Sequence, residues 1–235
     1  MLIDIHSHIL PCVDDGAKDL ETSLKLIKMM QSQGITDIIA TPHFYPDEDT
    51  LKDFNLRVKT AYNLLKTSGY DLPNIIIGCE LFYFSGISKS EHISKFTLGK
   101  SNYILIEPNP CALGRNLMSE LLFLRDVLNL TPIVAHVERY YKYRNFKEFV
   151  KFIKENEILC QVNASSFLDK YYNRILKKLF KEQVITFIAT DTHSLNRPPQ
   201  MLSALSIIEQ RFGTAEKERL INNLNLLRDE IVGKE

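Results

Sequence analysis

Leu2-Ile3-Asp4-Ile5-His6-Ser7-His8 is an apolar run that ends abruptly in two histidines. A buried ionisable group costs free energy unless it is paired or bound to a metal, so a core strand has no use for such an ending. Residues two apart on a strand point to the same face, and His6 and His8 can therefore grip one ion. The ending recurs in Ile38-Ile39-Ala40-Thr41-Pro42-His43, in Ile133-Val134-Ala135-His136 and in Phe187-Ile188-Ala189-Thr190-Asp191-Thr192-His193. Five of the six histidines lie at or just past the end of an apolar run. His92, with polar neighbours and no strand before it, reads as a surface residue.

Seven such runs begin near Ile3, Asp37, Asn74, Tyr103, Thr131, Ile158 and Ile185, and amphipathic segments separate most of them. This alternation predicts parallel strands with crossover helices, an α/β fold. Helical stripes are Leu20, Leu24, Ile27 and Met30, stopped at Gly34, then Leu51, Phe54, Val58, Ala61, Tyr62 and Leu65, stopped at Ser68-Gly69. Others are Leu117, Leu121, Leu124 and Leu128, then Phe146, Phe149, Val150 and Ile153, then Ile175, Leu176 and Leu179. One strand plus one helix, seven times over, favours a barrel over an open sheet, because a barrel brings the carboxyl ends of its strands to one mouth. With no linker-like or low-complexity tract, residues 1–235 read as a single domain.

Lys plus Arg and Asp plus Glu number 29 each, so no overall field draws the chain to nucleic acid or an anionic membrane. The first strand starts within three residues and leaves no room for a signal peptide, and no apolar run suits a membrane span. A cytoplasmic protein is expected. Cys12, Cys79, Cys111 and Cys160 form no C-x-x-C pair and read as reduced thiols.

The run ends supply His6 and His8, His43, Glu80, Glu107, His136, and Asp191 with His193, while the sixth run ends in Asn163 and Ser165, which are poor ligands. Asp14-Asp15-Gly16 reads equally as a turn and as the source of one more ligand, Asp15. Nine imidazole and carboxylate candidates exceed the needs of one ion and imply two or three, of zinc, iron or manganese. Arg139 and Arg197 follow His136 and His193 closely and match phosphate geometry. Tyr140, Tyr141, Tyr143 and Arg144 read as an aromatic and basic patch, suited equally to an exposed loop and to substrate contact.

The set His6-x-His8, Thr41-Pro42-His43, Glu80, Glu107, His136-x-Glu138-Arg139, Asn163 and Asp191-x-His193 resembles the PHP (polymerase and histidinol phosphatase) superfamily. More narrowly, Asp4-Ile5-His6-Ser7-His8-Ile9-Leu10, Val13-Asp14-Asp15-Gly16, Ala135-His136-Val137-Glu138-Arg139-Tyr140, Gln161-Val162-Asn163 and Arg197-Pro198-Pro199 resemble the CpsB-type bacterial manganese-dependent protein-tyrosine phosphatases of capsule and exopolysaccharide synthesis. The resemblance spans Ile3 to about Arg228. It implies a distorted (β/α)7 barrel of the PHP type with a trinuclear manganese site. His6, His8, Glu80 and Asp191 would hold one ion, Glu80 with Glu107 and His136 a second, and Asp15, His43 and His193 a third. Arg139 and Arg197 would bind phosphate. The segment between His193 and Arg197 is one residue shorter than the family form, and Cys12 stands where close relatives carry glycine.

The implied reaction is hydrolysis of phosphotyrosine by water activated between adjacent ions, with a bacterial tyrosine kinase tail as the protein substrate. No cysteine has an arginine six residues later, so the thiol-dependent route is missing from the sequence. Alternatives are a phosphatase of a small monoester such as histidinol phosphate, a metal-dependent nuclease, which zero net charge disfavours, and a non-catalytic scaffold, which the full ligand set disfavours.

Overall fold

The computed structural model describes residues 2–232, so the expected domain 1–235 lies outside the described residues at Met1 and at positions 233–235. Among the described residues the strands are β1 (Leu2–Ser7), β2 (Ile35–Ala40), β3 (His43–Phe44), β4 (Asn74–Ile77), β5 (Glu80–Phe82), β6 (Tyr103–Glu107), β7 (Thr131–Val134), β8 (Leu159–Asn163) and β9 (Phe187–Ala189). Neighbours pair in parallel, in the order β1-β2-β4 and β3-β5-β6-β7-β8-β9. The fold is the expected α/β class, a curled parallel sheet.

Two of the expected runs each break in two. The second divides at Thr41-Pro42 into β2 and β3, and the third at Gly78-Cys79 into β4 and β5. Pro42 has no N–H to give to a ladder. Gly78 lies where a Cβ would come within 2.9 Å of the side chains of Ile39 and Leu98, so the packing there leaves no room for a side chain. The pairing steps sideways at these points rather than ending: Thr41 N–H donates to Ser7 O at 2.8 Å, Gly78 N–H to Ala40 O at 2.8 Å and Glu80 N–H to Pro42 O at 3.1 Å.

The sheet then curls until its two ends meet. Asp191 N–H donates to His6 O and His8 N–H to Thr192 O, both at 2.9 Å. Beneath this seam the buried Asp4 carboxylate accepts from Thr190 N–H at 2.9 Å. The carboxyl ends of β1, β7, β8 and β9 are thereby held at one rim.

The helices are α1 (Leu20–Gln31), α2 (Leu51–Lys66), α3 (Arg115–Asp126), α4 (Phe146–Glu155), α5 (Asn173–Glu182), α6 (Met201–Phe212) and α7 (Thr214–Val232). Asp19 caps α1 by accepting Thr22 N–H at 2.7 Å, and Thr50 caps α2 through Asp53 N–H at 3.1 Å. The stripes of α2, α4 and α5 face the core as the spacing predicts. On α1 the buried line is Ser23, Leu26, Ile27 and Met30, with Leu20 and Leu24 at its margin, because the Ser23 hydroxyl turns inward to donate to Ile9 O. α6 and α7 pack on each other, and α7 covers β1 and β9 with Leu220, Leu224 and Leu227 buried. Each such fully buried leucine contributes about 1.5–3 kcal/mol. Arg228 of α7 donates through Nε to Asp37 Oδ2 at 2.7 Å, an ion pair held inside the apolar layer. No helix among the described residues is long and apolar enough to cross a membrane.

Candidate metal centre

His6 and His8 leave β1 facing the rim, both fully buried. His6 Nδ1 lies 3.2 Å from Gln161 Oε1, and His8 Nδ1 lies 2.7 Å from Asp14 Oδ2. Both partners are acceptors, so both Nδ1 atoms carry a hydrogen, and in the neutral rings, the form that binds metal, both Nε2 atoms present lone pairs. Those lone pairs face each other at 3.1 Å. Two facing lone pairs repel unless a positive charge lies between them.

Carboxylates close on the same point. Glu80 Oε2 has His6 Nε2 at 3.0 Å, His43 Nδ1 at 3.1 Å and His8 Nε2 at 3.2 Å, yet it is buried with no partner in hydrogen-bond geometry. Asp191 Oδ1 is orphaned in the same way, 3.4 Å from His6 Nε2 and 3.5 Å from His8 Nε2. Buried orphan acceptors cost about 1–3 kcal/mol each, and a cation shared among them removes that cost. His136, at the end of β7, places Nε2 at 2.9 Å from Glu80 Oε1 and 3.5 Å from Glu107 Oε1. Asp15 Oδ1 lies 3.7 Å from His43 Nε2 and 3.5 Å from His193 Nε2.

All nine sequence-nominated residues thus meet at one rim. Donor atoms of eight of them form three groups within 4.8 Å: His6, His8, Glu80 and Asp191; His8, Asp15, His43 and His193; and His43, Glu80 and Glu107; His136 stands beside them, its Nε2 2.9 Å from Glu80 Oε1. The geometry differs from the residue-by-residue reading in sharing His8 between two groups and in grouping Glu80 and Glu107 with His43 rather than with His136. The donor set, three or four nitrogen and oxygen atoms per group, fits divalent transition metals.

Electrostatics point the same way. Burial and the neighbouring Glu80 carboxylate push the Glu107 carboxyl up to about 8. Burial alone would lower the His6 pKa, but the Glu80 and Asp191 carboxylates outweigh it and hold the ring above its ordinary value. Burial, then the Arg139 charge, pushes His136 down to about 4. His136 and Asp191 also take left-handed backbone angles, φ 31° and 50°, which for non-glycine residues cost on the order of 1 kcal/mol each. Such turns let the chain leave β7 and β9 with the side chain aimed across the rim.

Arg139 and Arg197 both donate to the second Asp191 oxygen, Oδ2, Arg197 at 3.2 Å, and their side chains reach solvent. The one-residue shorter segment therefore does not keep Arg197 from the rim. Cys12 stands at φ 59°, a conformation that glycine adopts freely, and its Sγ lies 2.9 Å from Lys18 O.

The residues behind this set stand in the quoted motifs, but their roles are not legible there. Asp14 was read only within a turn, yet it orients His8 and accepts His43 N–H at 3.0 Å. Gln161 accepts His136 N–H at 2.8 Å and donates to Asn163 at 2.7 Å, and Asn163 donates to Asp191 Oδ2 at 2.7 Å. The signal for this rail was two amides with period two at the end of an apolar strand. Tyr140 is buried, its hydroxyl 3.0 Å from His136 Nδ1, while Tyr141 and Tyr143 stay outside. Tyr45, whose ring lies 5.1 Å from His43 and 5.4 Å from Phe82, stands at the mouth of a cavity of about 540 Å³ lined also by Asp14, Asp15 and His43.

The family model described as capsular polysaccharide synthesis, CpsB/CapC, matches residues 2–227. The tyrosine-protein phosphatase CpsB of Streptococcus agalactiae serotype III is 33% identical over 93% of this chain and 94% of its own length. The tyrosine-protein phosphatase YwqE of Bacillus subtilis is 29% identical over 96% of this chain and 91% of its own. A solved structure from work on YwqE of Bacillus subtilis and CpsB of Streptococcus pneumoniae, described as unique metal-dependent tyrosine phosphatases, superposes with a TM-score of 0.80 at 25% identity, covering 100% of this chain and 96% of that one. On its fold, its rim and these matches, the chain belongs to the CpsB/CapC family of capsular polysaccharide synthesis.

Proposed function

We propose that this chain is a metal-dependent protein-tyrosine phosphatase, a phosphoric monoester hydrolase formed by one domain over residues 1–235. The observation that carries the reading is the meeting of nine imidazole and carboxylate side chains with two arginines at one rim. The names of its relatives support it. His6, His8, Glu80 and Asp191 would hold one ion, Glu80, Glu107 and His136 a second, and Asp15, His43 and His193 a third, with manganese as the metal. Divalent cations, when bound, polarise the phosphoryl group and lower the pKa of water so that a nucleophile exists near neutral pH.

The chain's own residues do the rest. Arg139 and Arg197 take the phosphoryl oxygens, trading part of their hold on Asp191 for a ligand of higher charge. Asn163 keeps Asp191 in place through that exchange. Asp14 and Gln161 fix the tautomers and ring planes of His8 and His6, and Tyr140 holds the ring plane of His136. The Tyr45 ring gives the substrate ring an apolar wall. Phenolate, with a parent pKa of about 10, leaves without a strong general acid. The buried thiols take no part: burial raises Cys79 and Cys160 above the ordinary thiol range.

The substrate is a phosphotyrosine-bearing protein, read here as the tail of a bacterial tyrosine kinase controlling capsular or exopolysaccharide synthesis, and the compartment is the cytoplasm. Phosphate release from phosphotyrosine, phosphoserine and histidinol phosphate substrates, with and without manganese, tests this. Manganese-dependent turnover of the phosphotyrosine peptide is expected to exceed the others. Equal activity in His136→Ala, or a preference for histidinol phosphate, would overturn it.

A further inference from the structure

Outside the rim, a strongly charged concavity runs between α4 and α5. α4 carries Lys147, Lys151 and Lys154 along one edge, and α5 carries Arg174 and Lys178 along the other, at helical spacings of three and four. These side chains line two adjoining hollows of about 540 and 580 Å³ that share Lys147 and Lys178. The first is completed by Tyr141, Tyr143 and Arg144 and has no carboxylate in its lining. In the second, Glu155 and Glu182 pair with Lys151 at 3.6 Å and Lys154 at 3.0 Å, so its charge is partly balanced. A chain of zero net charge has therefore gathered an unbalanced positive group in the first hollow.

The position of that hollow matters as much as its sign. Arg139 stands at the rim, Tyr140 is buried against His136, and Tyr141 already lines the hollow. Two residues of chain span at most about 7 Å, so the residue whose guanidinium reaches the rim and one that lines this groove are near neighbours, within the length of one bound peptide. A side chain tethered that close is present at an effective concentration in the millimolar range, which makes even weak ion pairs count. The groove is concave and walled by two tyrosines, a shape that an extended peptide follows and a flat bilayer does not.

We propose that the hollow between Tyr141, Arg144, Lys147, Arg174 and Lys178 is a docking site for an acidic segment of the same protein substrate, rich in carboxylates or carrying a second phosphate. It rests on the phosphatase reading and deepens it: the rim takes the scissile phosphate while the groove selects an anionic neighbourhood around it. All of the basic residues named are exposed, so charge reversal leaves the core intact.

The test uses Lys147→Glu with Lys178→Glu in the full chain, and Lys147→Gln with Lys178→Gln as the milder pair. With manganese present, the charge reversal is expected to raise KM for a phosphotyrosine peptide flanked by glutamates roughly tenfold, with kcat and p-nitrophenyl phosphate turnover unchanged. The glutamine pair should fall between, and raised salt should erase the difference. Fluorescence anisotropy of a labelled glutamate-rich peptide without phosphotyrosine reads the groove independently of catalysis, and binding by wild type but not by the reversal supports the site. Equal KM values for acidic and neutral peptides in wild type would overturn it. So would capture of anionic vesicles or a single-stranded oligonucleotide in place of the peptide. Absence of p-nitrophenyl phosphate turnover in every form would instead count against the phosphatase reading alone.

Discussion

Asp14→Asn separates orientation of a ligand from ligation itself. Asp14 Oδ2 accepts from His8 Nδ1 at 2.7 Å and from His43 N–H at 3.0 Å, while Oδ1 accepts Gly16 N–H at 3.0 Å. Burial alone would raise its pKa, but the charge and hydrogen bond of His8, with the two backbone N–H groups, bring it to about 2, so the acceptor is a full carboxylate. The amide keeps one oxygen and must turn its NH2 either toward His8 or toward Gly16. Either way one charge-assisted hydrogen bond is lost, worth about 1.5–3 kcal/mol at a site so little screened by solvent. Expressed as affinity, that is a weakening of manganese binding by roughly 10- to 100-fold, the range usual for an outer partner of a ligating imidazole. Calorimetric titration of the metal-free protein with manganese, paired with activity against free manganese, reads it directly. Activity should recover at high manganese, because the ligands themselves remain. A dissociation constant within twofold of wild type, with only the melting temperature lowered, would refute the reasoning and leave Asp14 a purely structural turn residue.

Other outcomes follow from features away from that bond. Gly16→Ala places a Cβ 2.2 Å from His8 O and 2.5 Å from His8 Cβ, so the Asp14-Asp15 loop must shift, and kcat on a phosphotyrosine peptide should drop by about 100-fold or more. Arg228→Met breaks the buried pair with Asp37 and should lower unfolding free energy in urea by about 3–5 kcal/mol. Burial tends to raise Asp37, but bonds from Arg228, Asn74 and Thr36 hold it below its ordinary value. Its contribution is therefore present above the unfolded carboxylate value of about 3.9 and lost as pH falls through the lower folded one, so the stability gap between wild type and variant should narrow as the solution is acidified below that unfolded value. Stripping metal with a chelator should lower the unfolding free energy measured with manganese at 100 times its dissociation constant by about 2.7 kcal/mol per site, and a melting point unchanged on adding manganese would contradict a folded-state site.

Much of the layout was legible because chemistry-bearing residues interrupt apolar runs at their ends. Ile133-Val134-Ala135-His136 announces both a buried strand and its rim. The division of the second and third runs was not legible, since Pro42 and Gly78 sit inside stretches whose hydrophobicity continues across them. α6 and α7 escaped notice because their apolar positions are spread among polar ones and their partners, β1 and β9, lie far away in sequence. Within the candidate site, side chains at strand ends declared themselves by type and period. Asp14, Gln161 and Tyr140 did not, because their part depends on direction: of the tyrosines at 140, 141 and 143, only the first turns inward, and a sequence carries no mark of that choice.

The seam between β1 and β9 has a temporal consequence. His6 and His8 are made near the start of synthesis, and Asp191 and His193 well after most of the chain has left the ribosome. Until the last strand docks, the histidines of the first face an open gap, and a nascent chain has half a cage. A complete cage therefore requires the docking of β9 against β1, so the two ends of the ring and the cluster of ligands stand or fall together.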